Sequence, residues 1–175
     1  MADRRPCVFL RRALPTDISF IIRTEQIPAY RDFIDQWNES QHLTAIADPD
    51  YRYFLAESDG IPVGFAISNG WRAAETSIFV KRLAVTKQGG GYGRAMMSAL
   101  IETVFAESLV DRLRLGCFPE NLNARRSYEA IGFKLESVAR GCSIFRGKLR
   151  DELIMAFERS DWKSGRADEV LPIPG

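Results

Sequence analysis

Lys87-Gln88-Gly89-Gly90-Gly91-Tyr92-Gly93-Arg94 is the stretch from which the rest of this 175-residue chain can be read. Gly89, Gly90, Gly91 and Gly93 place four glycines in five positions, between a β-rich run over 76–85 and an apolar-striped run ending near 107. Such a turn presents several backbone N–H groups at the positive end of a helix dipole, which suits an anion such as a pyrophosphate. Glycine is needed because a Cβ blocks close approach of the backbone. Two common phosphate loops are excluded by spacing. A dinucleotide fingerprint from Gly89 needs glycine where Arg94 stands, and one from Gly91 needs it where Met96 stands. A triphosphate loop needs Gly-Lys-Ser/Thr, but the chain has Gly93-Arg94-Ala95, with no hydroxyl for magnesium. On spacing alone, a surface turn that binds nothing stays open beside the anion site.

Outward from the loop, hydrophobic periodicity supplies the elements. Residues 7–13 read as a strand. Pro15-Thr16-Asp17 opens a helix, with Thr16 accepting from free amides and Asp17 at the positive dipole end. Ile18, Ile21 and Ile22 share its apolar face. After Pro28 a second helix is expected over 29–47, carrying Phe33, Ile34, Trp37 and Leu43 and ended by Asp48-Pro49-Asp50. Residues 51–57 and 61–68 are strands joined at Asp59-Gly60, a strong hairpin signal. The helix after the glycine loop aligns Met97, Leu100, Ile101, Val104 and Phe105. Over 112–118, Leu113, Leu115 and Cys117 alternate with Arg112, Arg114 and Gly116, a strand pattern. Residues 121–131 form a short helix with Ala124, Ser127, Tyr128 and Ile131 inward and Gly132 as its cap. Strands over 133–139 and 150–157 follow. This order is α+β, a mixed sheet with helices on its faces. The expectation is a single domain over 1–159 and a loose tail over 160–175, which contains Pro172 and Pro174.

Composition narrows the classes. Hydrophobic residues at 46% and charged residues at 27% describe a soluble globular chain. Lys plus Arg (24) against Asp plus Glu (23) gives a net charge of +1, so nothing global draws the protein to nucleic acid or an anionic membrane. The Arg4-Arg5 and Arg125-Arg126 pairs do not change that balance. No apolar run approaches the ~18 residues of a membrane span. The first ten residues are too short and polar for a secretory signal, so the expected location is cytoplasmic. Cys7, Cys117 and Cys142 make neither a disulfide framework nor a CxxC pair. A single histidine, His42, excludes a His-rich zinc site, and no metal is expected.

Gln88-Gly89-Gly90-Gly91-Tyr92-Gly93 resembles the Gln/Arg-x-x-Gly-x-Gly/Ala pyrophosphate loop of the GCN5-related N-acetyltransferase (GNAT) family. A second signature lies downstream. Asn121-Leu122-Asn123-Ala124-Arg125-Arg126-Ser127-Tyr128-Glu129-Ala130-Ile131-Gly132-Phe133 is similar to Asn-x-x-Ala-x-x-x-Tyr-x-x-x-Gly-Phe. The resemblance covers residues 8–157. Trp37, His42 and Leu153-Ile154-Met155 make the chain similar to the bacterial branch of ribosomal-protein alanine N-acetyltransferases.

The resemblance implies a mostly antiparallel central sheet flanked by helices, with acetyl-CoA in a V-shaped opening between two central strands. It implies that Leu83, Ala84 and Val85 offer backbone groups to the acetyl carbonyl and pantetheine arm. Gln88, Gly89, Gly90, Gly91, Tyr92, Gly93 and Arg94 would wrap the pyrophosphate, with Arg94 adding positive charge near the 3′-phosphoadenosine. Asn121 would hydrogen-bond the pantetheine arm, and Tyr128 would be the general acid at the thioester sulfur. By spacing alone Tyr128 reads as a packed aromatic. The implied reaction moves acetyl from acetyl-CoA, as co-substrate, directly to a primary amine on a protein N-terminus or a small molecule. A monomer or homodimer with neither nucleic-acid nor membrane partner is expected. The alternative is an acyl-CoA-binding regulatory module without transferase activity. The family's usual base positions fall on Phe79 and Gly116, neither a carboxylate. Glu57, Glu75, Glu120 and His42 remain, and deprotonation relayed by water, without one dominant base, is expected. Acceptor recognition is expected from 25–50 and 141–148.

Overall fold

Asp59 and Gly60 stand at φ 51° and 75° and close the hairpin from β2 (Tyr51–Ser58) to β3 (Ile61–Asn69), as a two-residue loop requires. The computed structural model describes residues 6–73 and 76–168. The other strands are β1 (Phe9–Arg12), β4 (Ser77–Val85), β5 (Arg112–Cys117), β6 (Lys134–Phe145) and β7 (Lys148–Glu158). They form one seven-stranded sheet in the order β1-β2-β3-β4-β5-β7-β6. Every pairing is antiparallel except β4 with β5. That parallel pair needs a crossover, supplied by the glycine loop and α3 (Tyr92–Glu107). The sheet is mixed and mostly antiparallel, as the α+β reading expects.

Apolar stripes cover both faces. Met97, Leu100, Ile101, Val104 and Phe105 of α3 pack on Ile78, Val80, Leu113 and Leu115. On the opposite face, Ile21 of α1 (Ile18–Glu25) and Ala45 of α2 (Glu39–Ala47) pack with Leu55, Phe65 and Ile67. A bulge decides what β4 shows to each face. Its register against β3 passes from Ile67↔Arg82 to Ser68↔Val80, leaving Lys81 unopposed. One extra residue reverses the faces of everything beyond it. Val80 therefore belongs to the α3 core, while Arg82 and Ala84 turn towards α1.

The β4–β5 ladder stops at Val80↔Leu115, although β4 runs on to Val85 and β5 to Cys117. The two central strands part there, which produces the expected V-shaped opening.

Four sequence expectations change. The helix expected over 29–47 begins only at Glu39, where Asn38 accepts the Gln41 N–H and the Gln41 side chain accepts the Asn38 N–H, both at 2.9 Å. Residues 28–33 are successive turns, because Ile34 and Trp37 reach the core from irregular backbone. Asp17, not Thr16, satisfies the start of the first helix by accepting the Leu14 N–H at 2.8 Å. The segment expected as a loop over 141–148 belongs mostly to two long strands, turned at Arg146 and Gly147 with φ 50° and 76°. The expected loose chain from Ser160 is instead α5 (Arg159–Asp168) as far as the described residues go. Arg159 anchors it by donating to the carbonyls of Phe105, Ser108 and Val110 at 3.0, 2.7 and 2.7 Å. Trp162 packs on the Phe105 ring at 5.5 Å. Arg4, Arg5, Glu75, Pro172 and Pro174 lie outside the described residues.

Candidate active site

The glycine loop reaches its shape through backbone conformations that side chains resist. Gly89 and Gly91 sit at φ 79° and 80°, and Gly91 is the N-cap of α3. The first closed helical bond runs from the Ala95 N–H to the Gly91 carbonyl at 3.1 Å. The N–H groups of Tyr92, Gly93 and Arg94 thus have no partner within the helix. A Cβ on Gly93 would meet nothing within 4 Å, so the loop opens onto free space there. This is a cradle of backbone donors that fits a pyrophosphate.

The cradle forms one end of a cleft of about 1230 Å³ that follows the parting of β4 and β5. Leu83, Ala84, Val85, Gln88, Gly89, Gly91, Gly93, Arg94, Asn121 and Tyr128 all line it, whereas Gly90 and Tyr92 do not. A Cβ on Gly90 would run into the Tyr92 ring at 3.1 Å, so that pair shapes the loop from behind.

The three β4 residues differ in what they present. Thr86 donates to the Val63 carbonyl at 2.9 Å, on the β3 side. Alternation then turns Leu83 and Val85 towards the opening and Ala84 towards β3. Both Val85 backbone groups are engaged: the Tyr30 phenol donates to the Val85 carbonyl at 2.8 Å and accepts the Val85 N–H at 3.0 Å.

Asn121 caps α4 (Leu122–Ile131), its Oδ1 accepting the Ala124 N–H at 3.3 Å. One turn on, Tyr128 leans on the Phe133 ring at 5.9 Å between centroids. Burial pushes its phenol well above the ordinary tyrosine value, reinforced by the neighbouring Cys117 thiol and Tyr30 phenol. The group therefore stays protonated throughout the neutral range. Arg94 ties α3 to the end of α4 by donating to the Ala130 carbonyl at 3.4 Å.

The described candidates for a base are engaged elsewhere, and no dedicated base is expected among them. Glu57 pairs with Arg11 at 2.8 Å, and Glu120 pairs with Arg150 at 2.9 Å. His42 is wholly buried between the Tyr53 phenol at 3.0 Å and Glu25 at 3.3 Å. Glu25 also holds Arg82 at 3.0 Å, and Arg82 donates to the Asp35 carbonyl and lies 4.0 Å over the Trp37 ring. This buried cluster fixes the wall behind the cleft, and Trp37 and His42 are parts of it. Phe79 and Gly116 do meet, with the Phe79 ring 3.5 Å from where a Cβ on Gly116 would stand. Spacing pointed to none of Tyr30, Arg82, Ser143 or Glu152, and all four line the cleft.

Free backbone donors at one end and a buried phenol further in thus share one cleft. The sequence pattern of the acetyltransferase (GNAT) family matches residues 19–133. Aminoglycoside N(6′)-acetyltransferase type 1 of Klebsiella pneumoniae is 25% identical, over 73% of this chain and 75% of that protein. A chimera of the Vibrio cholerae spermidine N-acetyltransferase SpeG with hSSAT superimposes with a TM-score of 0.78 at 20% identity, covering 89% of this chain and 98% of the other. The ribosomal-protein alanine N-acetyltransferase of Escherichia coli does so with 0.69 at 23% identity, covering 86% and 93%. The chain belongs to the acetyltransferase (GNAT) family. It is an acetyl-CoA-dependent N-acetyltransferase.

Among the described residues no group of three or more His, Cys, Asp or Glu could hold a metal ion. No described helix is long and apolar enough to cross a membrane.

Proposed function

We propose that the protein moves the acetyl group of acetyl-CoA directly to a primary amine, with Tyr128 protonating the departing thiolate. The observation that carries this reading is the convergence of the Gly89–Gly93 cradle, the open side of β4 and Tyr128 on one cleft. Coenzyme A would lie with its pyrophosphate on the free amides of α3 and its pantetheine along β4, where Leu83 and Val85 face the opening. Seating it there requires Tyr30 to release Val85. The amine attacks the thioester carbon, and a β4 N–H stabilises the negative charge developing on the carbonyl oxygen. As the C–S bond breaks, charge gathers on sulfur within reach of a phenol that burial keeps protonated.

The acceptor is a primary amine, on a small molecule or a protein N-terminus. Relatives named for an aminoglycoside and for spermidine favour a small polycation. The test is thiol release from acetyl-CoA with spermidine, an aminoglycoside and a peptide with a free N-terminal alanine. Amine-dependent release supports the transferase. Coenzyme binding without release by any amine supports an acyl-CoA-binding regulatory module instead.

A further inference from the structure

We infer that Glu152 is the carboxylate that binds the acceptor's ammonium group and takes its proton. The inference rests on the transferase reading above. Glu152 lies on β7. The β5–β7 register pairs Gly116 with Ile154 and Cys117 with Leu153, so the two-residue period puts Glu152 on the same sheet face as Ile154 and Gly116. From there its side chain reaches back over β5. Glu152 Oε2 occupies the space that a Cβ on Gly116 would need, and its Cδ stands 3.4 Å from that point. The Phe79 ring closes the other side at 3.5 Å. A carboxylate delivered from β7 thus fills the place where β4 offers a phenyl ring and β5 offers no side chain. A side chain at Gly116 would require the Glu152 carboxylate to move.

Two independent features mark the spot as a cation site. First, Glu152 is half-buried and faces the cleft, and among the described residues it has no ion pair and no side-chain hydrogen bond. Its neighbours are engaged, Arg150 with Glu120 at 2.9 Å and Asp151 with the Gly141 N–H at 2.8 Å. A carboxylate that faces a cleft without a counter-ion is free to accept hydrogen bonds from an ammonium group. Second, Ser143 Oγ is buried without a hydrogen-bond partner, and Ser143 lines the same cleft. Orphaned buried hydroxyls are uncommon and call for a ligand or water. The other charged or titratable groups on the elements around Glu152 include Arg82 on β4, the Cys117 thiol on β5, Arg126 and Tyr128 on α4, the Cys142 thiol on β6, and Asp151 and Arg150 on β7, the last stacked on Phe118 at 4.0 Å.

The step balances. The ammonium gives one proton to Glu152, and the free amine forms the N–C bond as the C–S bond breaks. Tyr128 gives its proton to sulfur and is restored by the second proton from nitrogen. Glu152 then releases one proton to water, so each turnover yields the amide, the free thiol and one H⁺.

Glu152→Gln keeps the shape and removes the base. With the best amine among spermidine, an aminoglycoside and the alanine peptide, kcat/KM at pH 7 is expected to fall by at least about tenfold, as base contributions are ~10²–10⁴. KM for acetyl-CoA stays within about twofold, since Glu152 is remote from the cradle. The deficit shrinks as pH rises towards the pKa of an alkyl amine, about 10.4, where the acceptor is already neutral. A purely structural role would lower both pH profiles evenly. In a second variant, Glu152→Ala with Gly116→Asp returns a carboxylate to the same space from β5, and activity is expected to recover over Glu152→Ala alone. Equal kcat/KM for wild type and Glu152→Gln, or profiles that stay parallel, overturns the role of Glu152 while leaving the transferase standing. Absence of thiol release by the wild type with every amine overturns the transferase reading, and this role with it.

Discussion

The two walls of the cleft are built from different materials. The coenzyme wall is mostly backbone: the free amides at the start of α3, the open side of β4, and a loop whose glycines allow positive φ. Its parts are close neighbours in sequence. The acceptor wall is mostly side chain: Phe79 from β4, Glu152 from β7, Ser143 from β6, and the buried Glu25–His42–Arg82 cluster behind them. Its parts meet only after the sheet is assembled. Backbone donors suit a ligand that never changes, and side chains suit one that differs from protein to protein. Damage to the first wall should therefore appear in coenzyme affinity, and damage to the second in acceptor kinetics or in stability.

Four substitutions press on this contrast. The largest effect is expected where the walls meet. Tyr128→Phe keeps the ring and removes the proton, so kcat falls between about tenfold and ~10⁴-fold, with KM for acetyl-CoA little changed. Full kcat, with chemistry rate-limiting, would leave the phenol a packing residue. Next is the support of the acceptor wall. Glu25→Ala leaves the Arg82 guanidinium buried without its counter-ion and should cost about 3–5 kcal/mol in urea unfolding. A loss below about 1 kcal/mol would show the cluster to be dispensable. In the coenzyme wall, Gly93→Asp separates fold from function. The site has room for a side chain, and a carboxylate in the first turn of α3 is stabilised by the helix dipole by about 0.3–1 kcal/mol. Tm should hold or rise while KM for acetyl-CoA increases about tenfold or more, because the same charge repels a pyrophosphate. Unchanged KM would place the phosphates elsewhere. The smallest effect belongs to Tyr30→Phe. Losing the bonds to Val85 removes something the coenzyme must displace, worth about 1 kcal/mol net, so acetyl-CoA should bind a few-fold more tightly by calorimetry. Weaker binding would mean that Tyr30 helps to hold the ligand.

The same contrast explains what the sequence could tell. The glycine loop was legible because its four glycines fall within five positions and their spacing has a backbone reason. Asn121 and Tyr128 were singled out by the resemblance of 121–133 to the family's second signature, and about two helical turns separate that cap from the inward face carrying the phenol. Glu152 was not. Its position depends on β7 lying next to β5 in one particular register and on the missing side chain at Gly116, and no local pattern encodes either. The stretch before α2 was misread for a related reason. Phe33, Ile34 and Trp37 have helical spacing, but Trp37 is held by the distant Arg82 as well as by the His42 ring. The Arg146-Gly147 turn was hidden because Gly141 and Gly147 together resemble an irregular loop, whereas only the second closes the hairpin.

A sheet that parts in its middle has an edge where edges are least expected. Beyond Val80, β4 has lost its neighbour on one side, and unpaired strand edges are templates for pairing with other chains. Outer strands escape this by being short, charged or covered. At Val85 the cover is the Tyr30 phenol, which takes both its donor and its acceptor, as a passing strand would. A coenzyme seated along β4, as proposed above, would take over the guard. Enzyme and ligand therefore share a protective duty besides catalysis, since a ligand at a hundred times its Kd adds about 2.7 kcal/mol to the folded state. Without phenol and coenzyme, Val85 would present an unpaired donor and acceptor at that edge.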